Sequence, residues 1–496
     1  MTSQEWLYRV FASRYRWFSV LAAFALCAVL AVGVGFVLSE VGPLMAGAGL
    51  VALFIGVWML QDIEVAYWAV IGVICLLPFA SFPFDLGFTP TFLDAALGAL
   101  FLVWLLQIAG DTDERLVTTP LGGPVLAFML VAVGAFVFGL RHVPLALGFL
   151  QTYIRRFAEM MMSVALFFLI VNTVRSEERL RRVLVALMLG SFASALLGVA
   201  LYVVADQISS DFVIRALSAL GRIGYPTGPG VLRYIRENPE LPMRATSTSV
   251  DPNVLGSLLN VSLAITIPQL FVERPLIRRR YLVPMLGIMG LCLGLTMSRG
   301  SMVGLGAALV VLAALRYRKL WVLMAGALAL MLLLPQTQAL VSHFLEGFMV
   351  EDLATQMRMG EYKDALKLIR RYPILGVGFA GAPDVDIYIG VANLYLLMAE
   401  VMGLVGLTSF LIVIGTLLVR FWRSRALARG SALEAQWWGL HAGLVGALTG
   451  GVFDHYFFNL DFHHSVTLFW LVVGLATAAM ELIRRRSTAS SAAPSL

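Results

Sequence analysis

The sequence predicts an all-α, polytopic membrane helix bundle, and three observations carry that prediction. The 496 residues are 60% hydrophobic and only 13% charged. Their mean hydropathy is +0.86, more apolar surface than a water-soluble core can hide. The apolar residues also fall into runs of about 20, long enough to cross ~30 Å of hydrocarbon as helices.

Such runs lie near 17 to 38, 43 to 60, 65 to 81, 91 to 109, 123 to 140, 157 to 173, 183 to 205, 253 to 272, 281 to 297, 302 to 315, 320 to 335, 391 to 419, 435 to 453 and 464 to 483, giving about fourteen spans. The first is too long and too poorly flanked for a cleaved signal peptide and is expected to stay as an anchor. An even number of spans puts both termini on one side. The clusters Arg175/Arg179/Arg181/Arg182, Arg316/Arg318/Lys319, Arg420/Arg423/Arg425/Arg429 and Arg484/Arg485/Arg486 fall on that side, which the positive-inside rule makes the cytoplasm. Basic residues confined to short clusters between spans are no nucleic-acid signature. Cys27, Cys75 and Cys292 sit inside apolar runs and read as small buried hydrophobes.

Four regions follow. Residues 1 to 205 form an N-terminal bundle with short connections, into which Arg155 and Arg156 intrude near an apolar boundary. Residues 206 to 335 open with an arginine-rich outer segment ending RATSTSVDPN, followed by spans eight to eleven. Ser249 or Asp251 can cap span eight and Pro252 fits its first turn, so unpaired N–H groups lie beside Arg244 as an anion site. Spans nine and ten join at TMSRGSM, where a hairpin at Gly300 would present Ser298, Arg299 and Ser301 to an outer cavity.

Residues 336 to 390 form one large extracytoplasmic loop. Within it EYKDALKLIRRY is amphipathic, with Tyr362, Ala365, Leu366 and Ile369 on one side, and predicts a helix over 361 to 372. Arg358, Arg370 and Arg371 accompany it, and Gly376 and Gly378 would let the loop hinge as a lid. Gly376 to Gly381 fits G-x-G-x-x-G, but no βαβ unit surrounds it, so it is not a dinucleotide site. Residues 391 to 496 hold the last three spans. Their outer connection GVFDHYFFNLDFHH carries Asp454, His455, Asn459, Asp461, His463 and His464 at spacings matching no metal pattern, and no metal or cofactor is expected. Arginines gathered on the outer side present planar forks suited to phosphate oxygens, which suggests an anionic ligand there.

Three stretches together resemble the O-antigen ligase and O-antigen polymerase superfamily of bacterial membrane glycosyltransferases: Arg244 to Asn253, Thr296 to Gly300, and the loop end P-I-L-G-V-G leading to Asn393, Glu400, Gly403 and Gly406. The resemblance implies a many-span bundle with one periplasmic loop in the cytoplasmic membrane. It implies transfer of saccharide from an undecaprenyl-pyrophosphate donor to a glycan or lipid acceptor, without nucleotide sugar, among membrane lipids. On it, Arg244, Arg299, Arg358, Arg370 and Arg371 hold the pyrophosphate. The family motif places a His before Asn393, nine residues and G-x-x-G, yet Ala392 stands there. Either the chain has lost its base, which the sequence favours, or Glu400, His455, His463 or His464 replaces it. A lipid-linked glycan transporter and a silent binding scaffold remain alternatives.

Overall fold

A computed structural model describes residues 54–83, 89–110, 116–143, 147–333, 338, 341–342, 353–379 and 391–492. The expected span at 17 to 38, most of that at 43 to 60, and Cys27 lie outside them. The chain divides into two compact units, residues 1–65 and 66–496. Of the first, only residues 54–65 are described, and they are largely helical.

Among its described residues the second unit is mainly helical, with one two-stranded sheet and an isolated bridge between Ser81 and Thr91. Its helices are α1 (Ile63–Leu76, shared with the first unit), α2 (Phe92–Gly110), α3 (Gly122–Gly139), α4 (Leu147–Thr173), α5 (Glu177–Gln207), α6 (Ser210–Ser218), α7 (Pro252–Thr266), α8 (Arg279–Thr296), α9 (Arg299–Leu315), α10 (Lys319–Leu333), α11 (Leu353–Arg371), α12 (Leu394–Ala428), α13 (Glu434–Gly450) and α14 (His463–Ala492). Among the described residues, six helices are long and apolar enough to cross a membrane: those at Phe92–Ala109, Gly122–His142, Glu177–Gln207, Pro252–Phe271, Leu394–Ala428 and Leu460–Thr488. Three shorter apolar helices, at Ile63–Leu76, Arg299–Leu315 and Lys319–Leu330, coincide with further expected spans.

Two helices sit at the centre because they are apolar all round: α14, whose apolar window is wholly enclosed, and α7, largely so. The start of α7 is as its sequence dictates. The Asp251 carboxylate accepts from the backbone N–H of Asn253 (2.7 Å) and Val254 (3.2 Å), and Pro252 fills the first helical position. α9 and α13 approach closely through small residues, as membrane helices do. A Cβ on Gly304 would stand 2.5 Å from the Gly446 carbonyl oxygen.

The reversal between α8 and α9 falls one turn earlier than expected. Met297 takes the left-handed conformation at φ +52°, and Ser298 precedes the first turn of α9. Gly300 lies inside that turn, where its missing side chain makes room for Phe453. Ser301 lines a small cavity together with Asn260, Asp454 and Tyr456, and Ser298 packs beside it. Both are buried and hydrogen-bonded to each other at 2.9 Å.

The loop helix is longer than its amphipathic core, running from Leu353 to Arg371. Ala365 and Leu368 are its buried positions, whereas Leu366, expected on the inner side, is 46% exposed. The chain after it is bonded to α12. Gly376 and Gly378 adopt φ of +67° and +81° and dock on the first turns of α12. There the N–H of Val377 and of Gly378 donate to the carbonyls of Glu400 and Val401, both at 2.9 Å. α12 is itself broken at Gly403 (φ +67°), which frees the Leu404 N–H for the Pro373 carbonyl at 2.7 Å. The glycines of P-I-L-G-V-G and of G-x-x-G are thus two halves of one backbone lock.

The segment of 206 to 252 folds as α6, several 3₁₀ turns and a short antiparallel hairpin, β1 (Arg233–Tyr234) with β2 (Met243–Arg244). The arginines of the basic clusters tie helix to helix: Arg316 to Glu434, Arg420 to Glu481 at 2.7 Å, and Arg486 to Glu177 at 2.8 Å.

Candidate functional site

The hairpin delivers Arg244 to the place where α7 begins and α8 ends. Its Nε donates to the Thr296 carbonyl at 2.8 Å and its Nη2 to Asn253 Oδ1 at 2.6 Å. Both acceptors are neutral, and among the described residues no carboxylate lies within ion-pairing distance of this guanidinium. That contrasts with Arg316, Arg420 and Arg486. The fork is therefore oriented without its charge being cancelled by contact. Burial pulls Arg244 below its ordinary range, against the opposing pull of Asp251, Tyr456 and Asp454, and nearby Arg299 adds to the depression. Arg299 opens α9, so the two arginines act on each other beside a helix N-terminus.

The connection between α13 and α14 closes over this pair. Tyr456 donates its hydroxyl to Asp251 at 3.2 Å and lies 3.4 Å from the Asn253 amide nitrogen. Burial raises the Tyr456 phenol well above its ordinary value, so it stays a neutral donor. Burial also pushes Asp454 up to about 7; Asp251 adds to the rise, and Arg358, the His455 N–H and Arg244 oppose it.

Ala392 and Asn393 stand next to this connection. The Ala392 N–H donates to Glu361 at 3.0 Å, which brings α11 onto the same turn. Asn393 is the cap of α12: its Oδ1 accepts from Tyr395 and Leu396, and its Nδ2 donates to the Val452 carbonyl at 2.9 Å. An imidazole is nevertheless present. His455 Nδ1 lies 3.0 Å from the Val391 carbonyl oxygen. A carbonyl can only accept, so the proton sits on Nδ1 and the Nε2 lone pair is left as the basic atom. Burial lowers the His455 pKa, with the Val391 bond, Glu361 and Asp251 working against it and Arg358 with it. The ring is thereby kept neutral. Arg358, on α11, acts electrostatically on both Asp454 and His455.

Other residues singled out from the sequence are placed elsewhere. Glu400 is 1% exposed, and neither carboxylate oxygen has a hydrogen-bond partner among the described residues. Its charged neighbours are Glu361 and Asp364. Arg370 and Arg371 are exposed at the end of α11, with Arg371 packed over Tyr372. Asp461 pairs with Arg156 at 2.5 Å. His463 and His464 line a different cavity. From the sequence Tyr456 is not singled out, and Asp454 is only one of six polar residues in its connection. Their proximity to Arg244 depends on a chain crossing some 200 residues away, which no local spacing reports.

The fold and this end of the bundle define a polytopic helical membrane protein that gathers arginines, two aspartates, a neutral imidazole and a tyrosine at the ends of apolar helices. The family described as O-antigen ligase matches residues 284–411, from α8 through the large loop into α12. That match bears out the resemblance carried by Thr296 to Gly300 and by the stretch from Gly376 to Gly406. No curated protein matches the chain.

Proposed function

We propose that the chain is an active glycan polymerase or ligase of the bacterial cytoplasmic membrane. It would transfer saccharide from an undecaprenyl-pyrophosphate carrier to an acceptor hydroxyl, on a glycan or a lipid, at the outer face. The observation that carries this reading is His455 against Val391, an imidazole beside the turn where the family motif has its histidine and this chain has Ala392.

The chemistry needs little more. A sugar bonded through its anomeric carbon to pyrophosphate already has a good leaving group. As that C–O bond breaks, its electron pair leaves with the pyrophosphate, and Arg244 and Arg299 hold the growing negative charge. His455 Nε2 takes the proton of the acceptor hydroxyl as its oxygen bonds to the anomeric carbon. Glu361 and Asp251 stabilise the imidazolium so formed, and Arg358 opposes them. Glu400 has no part in this scheme, and Asn393 acts by capping α12. Arg370 and Arg371 meet the headgroups or the distal glycan at the surface.

About fourteen spans with both termini cytoplasmic, divided at 205, 335 and 390, accord with this reading, because all of these groups then lie at the outer ends of their helices. The backbone bonds that tie residues 373–378 to α12 favour a static role for α11 over a hinged lid.

The test is transfer by the purified chain in proteoliposomes, using a lipid-linked oligosaccharide and following both glycan growth and carrier pyrophosphate release. Wild-type turnover lost by about 10²- to 10⁴-fold in His455→Gln is the expected result. Donor binding without transfer by the wild type would mark a silent scaffold, and donor movement across the bilayer without covalent change a transporter. Either result ends the proposal.

A further inference from the structure

A second constellation lies where α2 and α14 begin, against the middle of α4. Here a cavity of about 400 Å³ is lined by Thr91, Arg155, Glu159, Asp461, His463 and His464, among others. Asp94, in the first turn of α2, adjoins it. One ligating atom each from Asp94, Glu159 and His463 falls within 4.8 Å of the others. His463 Nδ1 and Asp94 Oδ1 face each other at 3.5 Å without forming a hydrogen bond.

His463 is 7% exposed, and neither of its ring nitrogens has a hydrogen-bond partner among the described residues. Asp94 Oδ1 is likewise enclosed and without one, its other oxygen being taken by the Thr91 N–H at 2.9 Å. Glu159 engages Arg155 through Oε1 at 2.7 Å, which leaves Oε2. An imidazole and a carboxylate oxygen buried with no hydrogen bond to either are destabilising unless a ligand supplies one. A single ligand at their common point would satisfy all three side chains.

We propose that Asp94, Glu159 and His463 bind a divalent cation of the Zn²⁺ or Mn²⁺ type. One imidazole and two carboxylates form a mixed nitrogen and oxygen donor set suited to those ions. Two carboxylate charges against one guanidinium favour a cation over an anion. The adjoining cavity has room for the waters that would complete coordination.

The site lies apart from Arg244 and His455 but is joined to them. His463 directly follows the 3₁₀ turn Leu460–Phe462, and Phe462 packs edge-on against Tyr456 at 4.7 Å between ring centroids. A bound ion would fasten the segment that carries both His455 and Tyr456 to α2 and α4.

The experiment reads binding rather than transfer, so its failure is separate from failure of the proposed activity. The full chain is purified on a tag without histidine, stripped with chelator, and titrated with ZnCl₂ and MnCl₂ by calorimetry and by competition with a chromophoric chelator. One equivalent should bind, and saturating metal should raise the unfolding temperature. His463→Gln and Asp94→Asn should each weaken binding at least tenfold and remove the thermal shift. His463→Cys should keep Zn²⁺ while losing Mn²⁺, because thiolate prefers the softer ion. His464→Gln, in the same cavity but outside the triad, should stay within about twofold of wild type. No saturable binding by folded wild type, undiminished binding in both Asp94→Asn and His463→Gln, or a loss on His464→Gln in place of His463→Gln would each overturn the proposal. The cluster would then be a plain ion-pair network.

Discussion

Gly403 lies against the carbonyl of Ile374 so closely that no side chain fits between them: a Cβ built there strikes that oxygen, and the glycine sits at φ +67°. The break in α12 and the segment after α11 are therefore one device. It fixes the height at which Ala392, Asn393 and the His455 ring meet.

Gly403→Ala should accordingly be costly. The left-handed backbone alone accounts for roughly 1–3 kcal/mol, and displacing residues 373–378 adds to it. Gly360→Ala, in the interior of α11 with nothing within 4 Å of the added carbon, should instead gain about 0.5–1 kcal/mol. Thermal unfolding in detergent compares the pair. Hydrogen exchange at Val377 and Gly378 should rise only in Gly403→Ala, and equal effects of the two changes would refute the lock.

Arg244→Lys should lower kcat/KM at least tenfold, about 1.4 kcal/mol, while the protein folds normally. A lysine cannot bond Thr296 O and Asn253 Oδ1 together and still present charge to a ligand. Arg370→Gln, on an exposed side chain, should stay within about twofold. Steady-state transfer kinetics with lipid-pyrophosphate donor decide the matter, and a reversed ranking would move the anion site to the loop.

Much of the frame was legible in the sequence because its signals are local. Hydropathy located the described apolar helices, and the D-P-N triplet at Asp251 marked the start of α7. The same locality explains what was missed. Gly300 looked like the turn residue because glycine usually is, yet Met297 accepts the left-handed position and Gly300 is needed for contact with Phe453. Ala392 looked like a loss, since no nearby residue could replace a histidine at that place in the chain. The proposed replacement, His455, was one of four candidates and could not be singled out from sequence, since it lies in a connection 63 residues further on, across two helices. Asp94, Glu159 and His463 were equally invisible as a group, lying on three helices far apart in sequence.

Asp454 gives stability a pH dependence whose sign can be worked out. Its pKa is raised from 3.8 to about 7 in the folded chain. Between those values the folded state holds a proton that the unfolded state has lost, so its contribution to stability falls as pH rises through this window. The side chain of Asp454→Asn stays neutral throughout and can still accept from the His455 N–H. The variant should match wild type near pH 5 and unfold at a higher temperature near pH 8. A larger advantage at pH 5 than at pH 8 would contradict the raised pKa.

The last prediction concerns the two places from which an imidazole can reach the site. His455 reaches it from the α13–α14 connection, with Nδ1 on the Val391 carbonyl, and Ala392 is the next residue along that backbone. Rings from 455 and 392 would compete for one volume, so Ala392→His in the wild-type background should gain nothing and lose up to a few-fold through crowding. In a His455→Gln background the same change should recover part of the lost transfer, at least tenfold above the single variant, because a base returns to the same acceptor hydroxyl. The pH–rate profile of the double variant should shift with its new base, since a histidine at 392 lacks the bond that holds His455 in one tautomer. A large gain from Ala392→His alone would mean that the natural chain lacks its base. An absence of rescue in the double variant, with folding intact, would mean that His455 acts by holding Val391 and the 391–393 turn rather than by taking a proton.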